Sequence, residues 1–182
     1  MQENPIGVDG IETLEALPKE KLVELVQIYA KNLIAMDGVW FQSIETREGM
    51  DEAMFHDVEA WKRFTVSEGR RIKTFLGLGE QPGLEGLAQA LAYKFTSIAN
   101  ISESSYKEDS LYFRVLDCRV QTARTRKDMP LHPCKAAGFV EYEGFAKTID
   151  SRIQCECLSC FPEIHDQTCN CAWKFTLDTS HE

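Results

Sequence analysis

The stretch CNCAWKFTL, residues 169–177, places Cys171, Trp173, Phe175 and Leu177 at alternate positions. Successive side chains of a strand point to opposite faces, so a period of two with large apolar residues predicts a strand with one buried face. Working back from it, SRIQCECL (151–158) reads as a second strand. In a third, Leu111, Phe113 and Val115 alternate with Tyr112 and Arg114. The turn SYKEDS (105–110) joins that strand to a possible fourth between Ser97 and Tyr106. A helix from about Cys134 to Ile149 interrupts the strands, after an irregular stretch, QTARTRKDMPLHP (121–133).

Upstream the period changes. From Pro18 to Glu48, Leu22, Leu25, Val26, Tyr29, Leu33, Met36, Trp40, Phe41 and Ile44 recur at helical spacing. Pro18 suits a first helical position and Gly49 a stop, while Gly38 predicts a kink or a close helix contact. A second helix runs from an Asp51 N-cap to Leu76, with Met54, Val58, Trp61, Phe64, Ile72 and Phe75 as its stripe. GLGEQPG (77–83) breaks the pattern, and Leu84–Phe95 reads as a shorter third helix. The expected fold is α+β: long N-terminal helices packed on a C-terminal antiparallel sheet with one inserted helix. It forms one domain over 1–182, helical to residue 96 and sheet-forming from 97.

Composition narrows the function. A net charge of −9 opposes the counterion release that nucleic-acid binding needs, so no nucleic-acid partner is expected. Arg119, Arg124, Arg126 and Lys127 are a local exception, readable as a solvated basic loop, an anion site or a hub pairing buried acids. No apolar run nears the roughly 20 residues of a membrane span. The N-terminal residues lack the pattern of a secretory signal, so no membrane partner is expected and the cytoplasm is the expected compartment.

Seven cysteines are present, none before Cys118 and five between Cys155 and Cys171. In a reducing compartment such clustering points to metal or redox chemistry rather than disulfides. Cys157 and Cys160 form a C-x-x-C in which a tight turn presents two thiolates to one cation. Cys171 follows on the last strand, Cys134 opens a helix where the dipole favours a thiolate, and Cys118 closes a strand. Four of Cys118, Cys134, Cys157, Cys160 and Cys171 are the expected ligands of zinc or an iron–sulfur cluster. A redox dithiol and inert core cysteines are the alternatives. Cys155 and Cys169 sit two residues from candidate ligands, and His165 lies in the intervening loop.

Asp37, Phe41 and Glu45 are four apart on the first long helix; Asp57, Trp61, Phe64 and Glu68 follow one face of the second. Either these acids touch water at the stripe edges, or Asp37, Asp57 and Glu68 line a pocket, paired with Arg70, Arg71 or later arginines.

The stretches AMDGVWFQSIETREG, DVEAWKRFTVSEGRRI, DCRVQTARTRK, PCKAAGFVEYEGFAKTIDSRI, CLSCFPEIH and CAWKFTL resemble, in order, an uncharacterised family of bacterial and archaeal cytosolic proteins. More distantly, Cys118, Cys134 and Cys171 match places in the 2-amino-thiazoline-4-carboxylate hydrolase family, whose pattern has no C-x-x-C. Cys134, Cys157 and Cys171 match the vinyl-reductase-type small-molecule-binding domain. These resemblances imply helices on an antiparallel sheet, a homodimer formed through the long helices, and a pocket for an unknown small molecule between the layers. The function expected is metal binding by a ligand-binding α+β protein. Hydrolysis of a small cyclic C–N bond, and ligand sensing or scaffolding, are the alternatives.

Overall fold

A computed structural model describes residues 10–178. The first nine residues, part of the segment read above for a secretory signal, lie outside them. Helices fill the N-terminal part and strands the C-terminal part, so the fold is α+β. After a short helix α1 (Gly10–Glu15), α2 (Lys19–Glu48) and α3 (Met50–Phe75) form a hairpin. Its hinge is Gly49 at φ +93°, a conformation that glycine adopts without a Cβ penalty. Asp51 falls inside the first turn of α3 rather than capping it. α4 (Gly83–Ala92) and α5 (Phe95–Ala99) lead into β1 (Ile101–Lys107) and β2 (Ser110–Asp117).

α6 (Arg119–Arg126) occupies much of the stretch expected to be irregular. α7 (Lys135–Ile149) is the inserted helix, followed by β3 (Ile153–Cys160) and β4 (Cys171–Leu177). All pairings in the four-stranded sheet are antiparallel, in the order β1-β2-β4-β3. Register sets Leu111 opposite Phe175, Phe113 opposite Trp173 and Val115 opposite Cys171, so the predicted face of β4 is the buried one. On that face the sheet packs against α7 and α4 through Phe145, Ile149, Leu87 and Leu91, all fully buried. Arg114, Glu156 and Lys174 project from the other face and pair with acids or bases there.

α3 meets α7 through small residues. A Cβ on Gly144 would come within 2.8 Å of Thr65, and one on Gly69 within 3.0 Å of Thr148. The buried face of α3 is accordingly Ala53, Asp57, Thr65, Glu68 and Gly69, small or acidic instead of the expected aromatic stripe. Gly38 shows no close contact: a Cβ there would meet only Gln42, at 4.0 Å.

α2 buries only Ala30, Ile34 and Phe41. Val26, Tyr29, Leu33, Met36 and Trp40 are between 42% and 67% exposed, leaving much of its predicted stripe uncovered. No helix among the described residues is long and apolar enough to cross a membrane.

Candidate functional site

A cavity of about 300 Å³ opens between the α2–α3 hairpin, α6, α7 and the end of the sheet. This volume is at the lower end of the range for small-molecule sites. One wall carries cysteines, contributed by the sheet and the helix starts beside it. The opposite wall carries carboxylates from α2, α3 and α7.

The thiol wall follows from strand register and one tight contact. Cys157 stands opposite Trp173, Ser159 opposite Ala172, and Cys160 opposite Cys171, with an irregularity between Cys157 and Ser159. Three residues apart on a regular strand would put Cys157 and Cys160 on opposite faces. The bulge absorbs one residue and returns both to the core face. The C-x-x-C therefore works through a bulged strand, not the tight turn that its spacing suggests.

α7 descends onto the same face because position 138 has no side chain. A Cβ on Gly138 would lie 2.9 Å from the Trp173 ring. One turn earlier, Cys134 caps the helix, and the Lys135 amide donates to the Phe161 carbonyl just beyond β3.

Cys160 is the hub. Cys134, Cys157 and Cys171 all lie near enough to influence its thiol, and the first two push its pKa up. The partnership with Cys160 holds Cys157 below the ordinary thiol value. Cys171 is raised by Cys160 and by burial, and also accepts a bond from Trp173 Nε1 at 3.3 Å. Cys118, between β2 and α6, lines the cavity at the edge of this group, and burial pushes its pKa up to about 11.

Three elements, α7, β3 and β4, thus bring Cys134, Cys157, Cys160 and Cys171 to one region, with Cys118 beside Cys171. Among the described residues, no three Cys, His, Asp or Glu side chains are already disposed around a common point as metal ligands. Cys155 shares the core face but lies outside the group, its pKa pushed up by burial to about 12. Cys169 is buried beside Arg114 and Asp166, and His165 is exposed.

The acid wall differs in kind. Asp57 is 7% exposed; its Oδ2 lies 3.2 Å from His132 Nε2, and no partner for Oδ1 is found among the described residues. Asp37 is half-buried, with no hydrogen bond or ion pair to its carboxylate found among the described residues. Burial and the neighbouring Asp57 push its carboxyl up to about 7, Glu141 adding to the rise and His132 opposing it. Glu141 is also raised by burial, with Lys94 opposing.

Lys94 is wholly buried, 2.7 Å from Glu68 and 3.2 Å from Glu141, with its ammonium 4.3 Å from the centre of the Phe145 ring. Glu68 therefore stands behind the cavity wall, paired with a lysine rather than with Arg70 or Arg71, which are exposed. Arg124 is 2% exposed and grips Glu45 with two bonds of 2.8 and 2.6 Å. Within the basic segment it pairs a half-buried acid, while Arg119, Arg126 and Lys127 are exposed at the cavity rim.

His132 joins the two walls, and sequence reasoning missed it. Its Nδ1 lies 3.2 Å from Cys134 Sγ while Nε2 faces Asp57. Gln121 clamps the segment: its amide nitrogen donates to the His132 carbonyl at 2.8 Å and to Cys134 Sγ at 2.9 Å, and its oxygen accepts from the His132 amide. The signal available was a histidine two residues before a helix-opening cysteine. Lys94 and Gln121 carried none.

No curated protein and no solved structure matches this chain. A family model does match, over residues 15–177, nearly the whole of the described chain. This chain belongs to the family of unknown function DUF6125.

Proposed function

We propose that the protein binds a small molecule in the cavity and holds a metal ion or iron–sulfur cluster on the thiol wall, through Cys134, Cys157, Cys160 and Cys171. The observation that carries this is the placement of four cysteines from α7, β3 and β4 on one side of the core: Cys160 pairs with Cys171 across the strands, the bulge turns Cys157 to the same face, and Cys134 opens the helix packed there. Thiolate is the ligand form, so a cation bound here would displace the protons that these thiols hold, and binding would release them. Closed sets of four thiolates suit zinc and iron–sulfur clusters alike. Seven free cysteines fit a reducing compartment, which supports a cytoplasmic setting. The homodimer expected from the sequence finds support in the uncovered outer stripe of α2.

Elemental analysis and a visible spectrum of anaerobically purified protein test the reading. One zinc per chain, or iron with sulfide, is expected. Protein free of metal that also takes up none on reconstitution would sink it.

A second reading has its own observation, the line Cys134–His132–Asp57. A thiol, an imidazole and a carboxylate in sequence, with the Gln121 amide beside the sulfur, is the arrangement of a thiol nucleophile with its base and orienting acid. Hydrolysis of a small cyclic C–N bond would suit it, and the likeness to the hydrolase family belongs to this reading. Iodoacetamide separates the two. Rapid labelling of Cys134 alone supports the nucleophile, whereas joint protection of the four cysteines until a chelator is added supports the metal.

A further inference from the structure

The cavity interior carries more carboxylates than cations. Asp37, Asp57 and Glu141 line it, and Glu68 stands directly behind. Against these four, the buried cationic partners are Lys94 and, when protonated, His132. Lys94 is already shared between Glu68 and Glu141. Arg124, on the opposite side, is taken by Glu45. Lys31, Arg119, Arg126 and Lys127 sit at exposed rim positions, where water screens them.

The unused acceptors are specific. Asp57 is more than nine-tenths buried, yet Oδ1 has no partner among the described residues. Nor is that atom among those sealed without a partner, so it opens onto the cavity. Asp37 lines the same space, with no partner for either oxygen among the described residues. A carboxylate oxygen that opens onto a cavity with no protein donor is free to accept one from a ligand.

Around these acids the walls are aromatic: Phe41 from α2, Trp61 from α3, Tyr142 from α7 and Trp173 from β4. The protein shows how such walls hold an ammonium. Lys94 is bound by two carboxylates with Phe145 at 4.3 Å and Tyr142 at 5.9 Å from its nitrogen. Tyr142 and Glu141 serve both that internal site and the cavity.

We propose that the cavity binds an organic ammonium ion, its charge received by Asp37 and Asp57 and its hydrocarbon part by the aromatic walls. Carboxylates attract the cation and pair any N–H groups it carries, and the ring faces of the walls attract it as well. The amine takes the place, on the cavity side, that Lys94 takes behind it. This inference rests on the cavity being a ligand site and is independent of any metal on the thiol wall.

The test uses a panel of small primary and quaternary ammonium ions, such as 2-phenylethylammonium and benzyltrimethylammonium. Each is matched to a neutral and an anionic counterpart, such as 2-phenylethanol and 3-phenylpropanoate. Binding to the whole chain is measured by calorimetry at pH 8. Ammonium members should bind at least about tenfold more tightly than their neutral counterparts. D37N and D57N should each remove about tenfold or more of that preference, with D37N verified as folded by its melting curve. Neutral or anionic counterparts binding as well as the amines would overturn the ammonium assignment while leaving the small-molecule reading standing. No binding by any member overturns both. Amine binding unchanged in both variants overturns the assignment to Asp37 and Asp57.

Discussion

The two walls of the cavity are built on opposite principles. On the thiol wall, four cysteines come from strands and a helix start locked by register, by the β3 bulge and by Gly138 against Trp173. Its groups act chiefly on one another, each shifting its neighbours' titration. On the acid wall, carboxylates hang from long helices whose packing leaves room, and their partners are scattered single residues: Lys94, His132 and Arg124. One wall gathers soft thiol donors, which is what the proposed metal or cluster would use. The other holds surplus negative charge that burial has not matched. Soft polarizable donors and hard oxygen donors thus face the same space, each with a different partner to recruit.

The sharpest break in this comparison is Cys160→Ser. If a metal ties the thiols together, the variant should lose it and melt lower by about 10 °C or more, since metal binding is folding energy. Cys155→Ser, on the same face but outside the group, should keep its metal content. Equal metal content in the two variants would show that the hub position is not special.

On the acid wall, Lys94→Ala leaves Glu68 and Glu141 facing each other without their cation. A cost of about 3–5 kcal/mol is expected from breaking a buried pair in this way, read by urea unfolding. Lys94→Met, which keeps the packing against Phe145, should still be destabilised at pH 8 and recover part of the loss at pH 5 as the carboxyls take up protons. A flat response between the two pH values would contradict the charge argument.

Asp37 predicts a slope with pH. Its carboxyl sits at about 7 in the fold against an ordinary 3.8, so between those values the folded chain holds a proton that the unfolded chain has released. Stability is fully present below the ordinary value and is lost as pH rises towards the folded one. Asp37→Asn should flatten this decline and gain roughly 2 kcal/mol at pH 8, after discounting for partial exposure. Melting temperatures of the two proteins from pH 4 to pH 8 check the sign: they should converge at low pH.

The smallest effect on chain stability should come from outside the cavity. Trp40, on the uncovered face of α2, is 67% exposed, and Trp40→Lys should change the unfolding free energy of a monomer by no more than about 0.5 kcal/mol. In a dimer joined through α2 it should instead halve the mass seen by light scattering at micromolar concentration. Unchanged mass would remove that face as the contact.

Much of this fold was legible from local pattern. Alternation in residues 171–177 identified the buried face of β4, and Gly49 marked the hinge of the hairpin. α6 was missed because QTARTRK offers almost no apolar period; its helix rests instead on Gln121 and Arg124 reaching partners far along the chain. The stripe on α2 was visible, but apolar residues occupy more than one of its faces, and periodicity does not say which face the rest of the chain will cover.

The candidate site divides the same way. Clustering singled out Cys118, Cys134, Cys157, Cys160 and Cys171, because thiol-rich spacing is written in one dimension. Asp37 and Asp57 stood out as acids among aromatics for the same reason. The sequence by itself therefore determined the α+β layout, the strand faces and the residue types available for chemistry. Only the tertiary structure decided that a bulge turns Cys157 and Cys160 to one side, that Lys94 answers Glu68 and Glu141, and that His132 stands between Cys134 and Asp57. Those outcomes depend on distances between segments remote in sequence, and such distances are set by how whole elements pack, not by any local preference of the residues concerned.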